Sequence, residues 1–345
     1  MRYLSPMSTP LFDFDYHLPV DRIAQESLAD RESAKLLLLA REDGAIIDRH
    51  IRDLPDLLAP GDLLIFNDSK VFKARLEGRL DDGTQAECFL LHPTEHGYWE
   101  ALIKPGKKLA PGSTIYFSSD TKCVLQEKTN QGTAIVDFGL TTDEVFAFSD
   151  KAGSVPVPPY VEKNARNQSE YQTIYAKERG SVAAPTAGFH FTENLFNKLE
   201  QKGVQKAFVT LHVGLGTFRP IKTETLETHD MHREWGHVPQ ETIDQIYKTK
   251  KRGNRVIAVG TTATRALESW GGVGEAWADS TDLFITPGYS FRVIDGLLTN
   301  FHLPKSTLIV LVSAFAGRKS VLNAYKHAID NKYRFYSFGD AMLIL

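Results

Sequence analysis

The chain has 345 residues, a formal net charge of -3, and 42% hydrophobic and 24% charged residues. A single hydrophobic core organises roughly 250–300 residues at most, so two domains are expected. The balanced composition excludes disordered and fibrous classes, and the near-neutral charge leaves only a local basic patch for any nucleic-acid partner.

From the N-terminus, Met1 to Met7 has no apolar signal core, and Met7 is an alternative start. Leu36 to Ala40, then Arg41-Glu42-Asp43-Gly44 and Ala45-Ile46-Ile47, read as a hairpin around an Asp-Gly turn. Asp53 to Leu58 reads as a short helix stopped by Pro60-Gly61. Between Asp62 and Ser149 short β-rich runs follow one another: Leu63–Phe66, Ala74–Arg79, Ala86–Leu91, Tyr98–Ile103, Thr114–Phe117, Lys122–Leu125 and Ala134–Asp137. Turn signals such as Asp81-Asp82-Gly83 and Pro111-Gly112 separate them, which predicts a small barrel or sandwich. A short helix around Asp143–Phe148 closes the block, and the proline-rich Val155 to Tyr160 is a stiff linker.

Beyond the linker, helices and strands alternate: helix Glu193–Lys202, strand Ala207–Val213, helix Glu241–Arg252 and strand Arg255–Val259. Strands Leu283–Ile285 and Leu308–Ser313 and helix Val321–Asp330 follow, an α/β pattern. The expected organisation is a discontinuous α/β catalytic domain of residues 1–61 and 155–345, with an inserted β-barrel domain of residues 62–154. The longest apolar run, Leu308 to Ala316, is far below the ~20 residues of a membrane span. Cys88 and Cys123 are too few for a disulfide framework or a clustered zinc site, and read as reduced thiols. A soluble, cytoplasmic protein without a membrane partner is expected.

Several segments carry chemistry-bearing residues. Gly180 to Thr192 is rich in small residues, holds Thr186, Gly188, Phe189 and His190, and precedes a helix that Thr192 can cap. It reads equally as a tight surface loop or as a ligand-approaching loop. Leu211 to Pro220 follows a strand and contains His212, Gly216, Thr217, Phe218 and Arg219. Its Gly-x-Gly lacks the third glycine and the following helix of a dinucleotide fingerprint. His229 to His237 holds three histidines, including His232, without His-Glu-x-x-His spacing, and reads as a polar loop rather than a metal site. Gly260 to Glu268 is a strand-to-helix turn, with Thr262 and Arg265 placed for a ribose or anion and a plain threonine-capped turn as the alternative. Thr299 to Thr307 holds Asn300 and His302, and Asp340 lies in an apolar C-terminal segment, either buried and paired or facing a cationic ligand. Lys70, Arg75, Lys104, Lys107 and Lys108 make the β block locally basic, as a solvated face or as phosphate contacts.

Taken together, these strings resemble one family. Leu11 to Pro19 with Ile23-Ala24-Gln25, Gly61 to Val71, Lys104 to Lys108, Tyr171 to Ala176, Ala183 to Phe191, Val209 to Pro220, Thr299 to Thr307 and Phe338 to Leu345 are similar to motifs of the S-adenosylmethionine:tRNA ribosyltransferase-isomerases of queuosine biosynthesis. The chain departs from the family pattern at Asp30 to Lys35, where Arg-Asp-x-Ser-Arg is usual. It departs also at Lys73, where proline is common, and in the centre of Thr261 to Arg265.

The resemblance implies an α/β-barrel-like main domain with an inserted small all-β barrel. It implies transfer and isomerisation of the ribosyl group of S-adenosylmethionine onto 7-aminomethyl-7-deazaguanine at the tRNA wobble position. Adenine and methionine are released, with no metal and no cofactor beyond the co-substrate. A monomer is expected.

That chemistry asks for a base at the ribose 5′ carbon and an acid for adenine, and His190, His212, His302 and His232 are the catalytic candidates. Thr186, Gly188, Phe189, Gly216, Thr217, Phe218, Arg219, Thr262, Arg265, Asn300 and Asp340 are the candidates for substrate binding, with Phe189, Phe191 or Phe218 for stacking. Two other classes remain open, an S-adenosylmethionine methyltransferase and a non-enzymatic tRNA-binding module.

Overall fold

The computed structural model describes residues 8–94, 96–130, 132–156, 171–214 and 221–345. They form two compact units, one from Met1–Ser69, Pro159–Lys177 and Pro185–Leu345, the other from Lys70–Pro158 and Glu178–Ala184. Among the described residues no single helix is long and apolar enough to cross a membrane.

The larger unit is built on a nine-stranded sheet. Its order is Trp277–Thr281, Glu234–Val238, Gln205–Leu211, Leu63–Asn67, Val256–Val259, Gly296–Asn300, Ala341–Ile344, Lys35–Leu39 and Ile46–His50. The four strands from Gln205–Leu211 to Gly296–Asn300 run parallel. Ala341–Ile344 then pairs antiparallel to Gly296–Asn300 and parallel to Lys35–Leu39. Side chains alternate between two cores on opposite faces of the sheet. Leu63, Ile65, Val256 and Ala258 enter one, and Leu64, Phe66, Ile257 and Val259 the other. Strands buried on both faces read as unbroken apolar runs, which is how Leu63–Asn67 and Val256–Val259 appear in sequence.

The smaller unit contains the expected barrel. Six antiparallel strands close in the order Ala134–Asp137, Trp99–Lys104, Gln85–Pro93, Arg75–Arg79, Thr114–Tyr116 and Lys122–Lys128. Trp99, Leu76, Leu90, Val136 and Leu125 fill it, together with the free thiols Cys88 and Cys123. The expected α/β architecture with a small all-β barrel is thus present, its α/β part a mixed sheet with end strands Trp277–Thr281 and Ile46–His50.

Three local readings change. Leu63–Phe66, read with the β-rich block, belongs to an interior strand of the large sheet; a five-residue buried run has no period to separate it from a barrel strand. Leu308–Ser313, expected as a strand, lies inside helix Thr307–Ala316, started by Ser306, whose hydroxyl accepts from the Ile309 amide (3.3 Å). The helix is buried almost all round, so its apolar residues leave no 3.6-residue stripe. Leu283–Ile285 is not a strand; the strand is Trp277–Thr281, just before it.

The amino ends of the parallel strands are fastened by Asp62. It is 1% exposed, and it accepts from the Ala59 amide (2.9 Å), the Arg255 amide (3.0 Å) and the Arg255 guanidinium (Nη2, 2.5 Å). Burial pushes the Asp62 carboxyl up, but these hydrogen bonds and the Arg255 charge outweigh it and hold it below the usual carboxylate range. A carboxylate lowered in the fold stabilises above its unfolded value and loses that contribution as pH falls through the folded one. Asp62→Ala is expected to lower unfolding free energy by about 2–3 kcal/mol in urea titrations at pH 7, less than a fully buried pair because Arg255 is part-exposed. The deficit should shrink as the pH is taken below 4.

Candidate active site

Parallel pairing places the carboxyl ends of four strands along one edge, and the switch to an antiparallel neighbour brings the start of Ala341–Ile344 to the same edge. Open α/β sheets bind ligands outside such ends, at such a switch. That edge gathers Asp68 and Ser69, His212, Gly260 to Thr262, Asn300 to His302 and Asp340, with Arg31 to Ala34 leading into Lys35–Leu39.

Asn300 is the hub. Its Oδ1 accepts from Thr186 Oγ1 (2.9 Å), and its amide nitrogen donates to His190 Nε2 (3.3 Å) and to the Asp340 carbonyl (3.3 Å). The sequence readings of Thr186, His190, Asn300 and Asp340 therefore converge, on a short 3-10 turn over Thr186–His190. Because the Asn300 amide can only donate, His190 Nε2 is an acceptor and its hydrogen sits on Nδ1. Burial, and then the charges of Arg31 and Arg334, push His190 down to about 4. A shallow cleft opens beside it, walled by Phe189 and Phe338, whose rings stack at 6.0 Å between centroids.

His212 stands at the end of Gln205–Leu211. Its Nδ1 lies 2.9 Å from Ser69 Oγ, and its ring stacks on Trp235 (centroids 5.2 Å, 23°). Beside it, Thr210 Oγ1 donates to Asp68 (2.7 Å). Thr262 Oγ1, in the first turn of helix Thr261–Trp270, is buried with no hydrogen-bond partner among the described residues. The helix is capped by Gly260 at φ 92 without a side-chain cap, so the threonine-cap alternative is absent.

Other expected residues have different work. His302 is enclosed: Nε2 meets Thr299 Oγ1 (2.8 Å), its amide donates to Tyr325 Oη (3.0 Å), and burial pushes its ring down to about 3. Arg265, expected to hold ribose or carboxylate oxygens, is buried and ion-paired with Glu234, while its Nη2 has no hydrogen-bond partner among the described residues. Glu234 also accepts from the Gly214 amide (2.8 Å), so the pair fixes where the following loop starts. Asp340 is buried and paired: its two oxygens accept from the Lys35 amide (2.8 Å) and the Arg334 amide (2.7 Å), and burial is the main force raising its carboxyl. Gly188 is small because an added Cβ would sit 1.9 Å from the Tyr175 hydroxyl, and Phe191 is a core ring edge-on to Phe66 (4.7 Å).

His232 lies half-buried on the loop leading into Glu234–Val238. Gly216, Thr217, Phe218 and Arg219 lie outside the described residues. In the barrel, Arg75 (2.9 Å) and Lys104 (3.2 Å) both pair with Glu87, whereas Lys70, Lys107 and Lys108 are exposed. Sequence reasoning missed Ser69, Glu234, Arg31 and Arg334. Glu234 was hidden among the histidines, and Arg31 sits in the segment that departs from the family pattern.

A mixed α/β sheet with polar groups at its topological switch defines the class: an α/β protein with its candidate site at the switch and a separate closed barrel. Residues 11–344 match the model of the family described as queuosine biosynthesis protein. Proteins named S-adenosylmethionine:tRNA ribosyltransferase-isomerase from Thermosipho melanesiensis and Halothermothrix orenii are each 48% identical, over 97% and 96% of this chain and 99% of their own. One from Staphylococcus epidermidis is 47% identical over 96% of this chain and 99% of its own. The crystal structure of S-adenosylmethionine tRNA ribosyltransferase from Thermotoga maritima is similar at TM-score 0.57 and 38% identity, covering 96% of this chain and 100% of that one. The chain belongs to the queuosine biosynthesis protein family.

His190 and His302 are both held neutral well below the 6.5 of a free histidine. The unfolded chain therefore binds more protons between about pH 4 and 6.5, so their contribution is complete above 6.5 and is lost as pH falls through that window. Urea midpoints should drop across this range, and His302→Asn should flatten the drop. An unchanged slope contradicts the enclosed, neutral ring.

Proposed function

We propose that this protein transfers and isomerises the ribosyl moiety of S-adenosylmethionine onto 7-aminomethyl-7-deazaguanine at the tRNA wobble position. The products are epoxyqueuosine-tRNA, adenine and methionine. The observation that carries this is the near full-length likeness to relatives named for that enzyme. It rests on a fold whose sheet edge offers neutral imidazoles and buried donors. S-adenosylmethionine supplies the transferred group, and the balance of the reaction calls for no metal and no further cofactor. The protein acts as a cytoplasmic monomer.

Within this reading the four histidines separate by what holds each ring. The C5′ proton, acidified by the neighbouring sulfonium, needs a base that reaches the carboxyl edge of the strands. His190 has its Nε2 lone pair on Asn300, and His302 has its Nε2 against Thr299 inside the core. His212, at the carboxyl end of Gln205–Leu211, is positioned through Nδ1 by Ser69, and we assign it as the base. Thr262, with a buried hydroxyl and no partner among the described residues, holds a ribose oxygen. The exposed Lys107 and Lys108 contact tRNA phosphate, while Arg75 and Lys104 share the one carboxylate of Glu87.

Incubation with S-adenosylmethionine and tRNA carrying the aminomethyl base should release adenine and methionine and raise the mass of that base. S-adenosylhomocysteine as the product would instead show a methyltransferase. With substrate tritiated at C5′, His212→Ala should abolish tritium release to water and cut turnover by about 10²–10⁴-fold. Loss of tritium release in His232→Ala instead would move the base there.

Replacing Lys107 and Lys108 together by Ala should weaken tRNA binding and reduce the log–log salt slope by roughly 0.7–0.9 per lost phosphate contact. Arg75→Ala should change that slope much less. Binding of tRNA by the whole chain without adenine release from S-adenosylmethionine would favour a binding module without catalysis.

A further inference from the structure

The mechanism above leaves two cations unused beside His190. Arg31 Nη1 donates to the Phe189 carbonyl (3.2 Å), and Arg334 Nη2 donates to the Glu26 carbonyl. These partners are neutral, and Arg334 Nη1 is buried with no hydrogen-bond partner among the described residues. Both guanidiniums line the cleft that His190 lines, and both act on its ring. A buried guanidinium with an unmade hydrogen bond is costly unless an acceptor arrives, and a carboxylate is the acceptor that its forked geometry fits.

The rest of the wall narrows the choice of anion. Phe189 and Phe338 are stacked (interplanar 20°) and 4% and 8% exposed, and the Arg31 guanidinium lies 5.9 Å from the Phe189 ring centre. An open cleft walled by two stacked rings and ending at two guanidiniums suits an apolar chain that ends in an anion. A thioether or sulfonium chain gains from aromatic walls through sulfur–aromatic and cation–π contact. With its hydrogen on Nδ1, His190 adds an N–H donor to the lining without adding a third positive charge.

We propose that Arg31, Arg334 and His190 form the subsite for the α-carboxylate of the methionyl part of S-adenosylmethionine, with Phe189 and Phe338 enclosing its side chain. This rests on the reading of the reaction given above. It assigns Arg334 two functions: its backbone amide fastens Asp340, and its side chain binds substrate.

The test compares S-adenosylmethionine with its decarboxylated analogue on wild type, Arg31→Ala and Arg334→Ala, following adenine release and binding separately. Wild type should prefer the carboxylated substrate by roughly 10- to 100-fold in KM, the effect of a charge-assisted hydrogen bond. Each variant should raise KM for S-adenosylmethionine by a similar factor, leave KM for tRNA unchanged, and lose most of the preference. Unchanged discrimination in the variants overturns the proposal. So does a rise in tRNA KM with a shallower salt slope, which would make the cleft a phosphate site.

Arg334→Lys guards against misfolding of the alanine variant: it keeps a charge without the fork and should lose an intermediate part of the preference. Wild-type binding of L-methionine against methioninamide reads the same subsite without any substitution, and equal affinity for the two overturns the assignment. Adenine release without carboxylate discrimination removes this subsite and leaves the reaction standing. Carboxylate-dependent binding without adenine release does the reverse.

Discussion

The Asp340 carboxylate accepts one backbone amide from Lys35 and another from Arg334, and its own carbonyl accepts from the Asn300 side chain. Through these bonds one buried residue joins the N-terminal hairpin, the C-terminal strand and the end of the Gly296–Asn300 strand at the point where the sheet changes direction. Asn300 in turn aligns Thr186 and His190. The Ala341–Ile344 strand lies inside the sheet, between two hydrogen-bonded neighbours, and is buried along its length. Burial raises the Asp340 carboxyl while the two amides and neighbouring cations oppose it, so its position is set by directional hydrogen bonds rather than by charge alone.

The two ends of the parallel strands are built differently. At the amino ends, Asp62 and Arg255 form a satisfied ion pair, and Asp295 accepts from the Val256 amide (2.9 Å). At the carboxyl ends, Thr262 Oγ1 and Arg334 Nη1 are buried and unmatched among the described residues. Unmatched buried donors at the carboxyl ends are groups that a ligand can complete. The Glu234–Arg265 pair serves the active edge indirectly, holding Gly214 at the start of its loop.

Much of this was legible in the sequence, and what was not has a physical reason. The Asp-Gly hairpin and the barrel strands announced themselves through turn residues and alternation. Helix Thr307–Ala316 and strand Leu63–Asn67 were misplaced because complete burial erases the period that distinguishes helix from strand. Thr186, His190 and Asn300 were singled out by their small-residue and strand-end settings, and the fold brings them together. Arg265 was read as a ligand contact because a strand-to-helix turn favours anions, but its partner Glu234 is distant in sequence and no local pattern reveals it. Arg31 and Arg334 meet at one cleft only because Lys35–Leu39 and Ala341–Ile344 pair in parallel.

The central claim is that the switch edge of the larger sheet is where S-adenosylmethionine binds. Hydrogen–deuterium exchange of the whole chain with and without S-adenosylmethionine tests it most directly. The account predicts slowed exchange at Thr186–His190, at Asn300–His302 and around Arg31 and Arg334, with no change at Asp62 and Arg255. Protection confined to the barrel strands, or spread along the amino ends of the parallel strands, would contradict it.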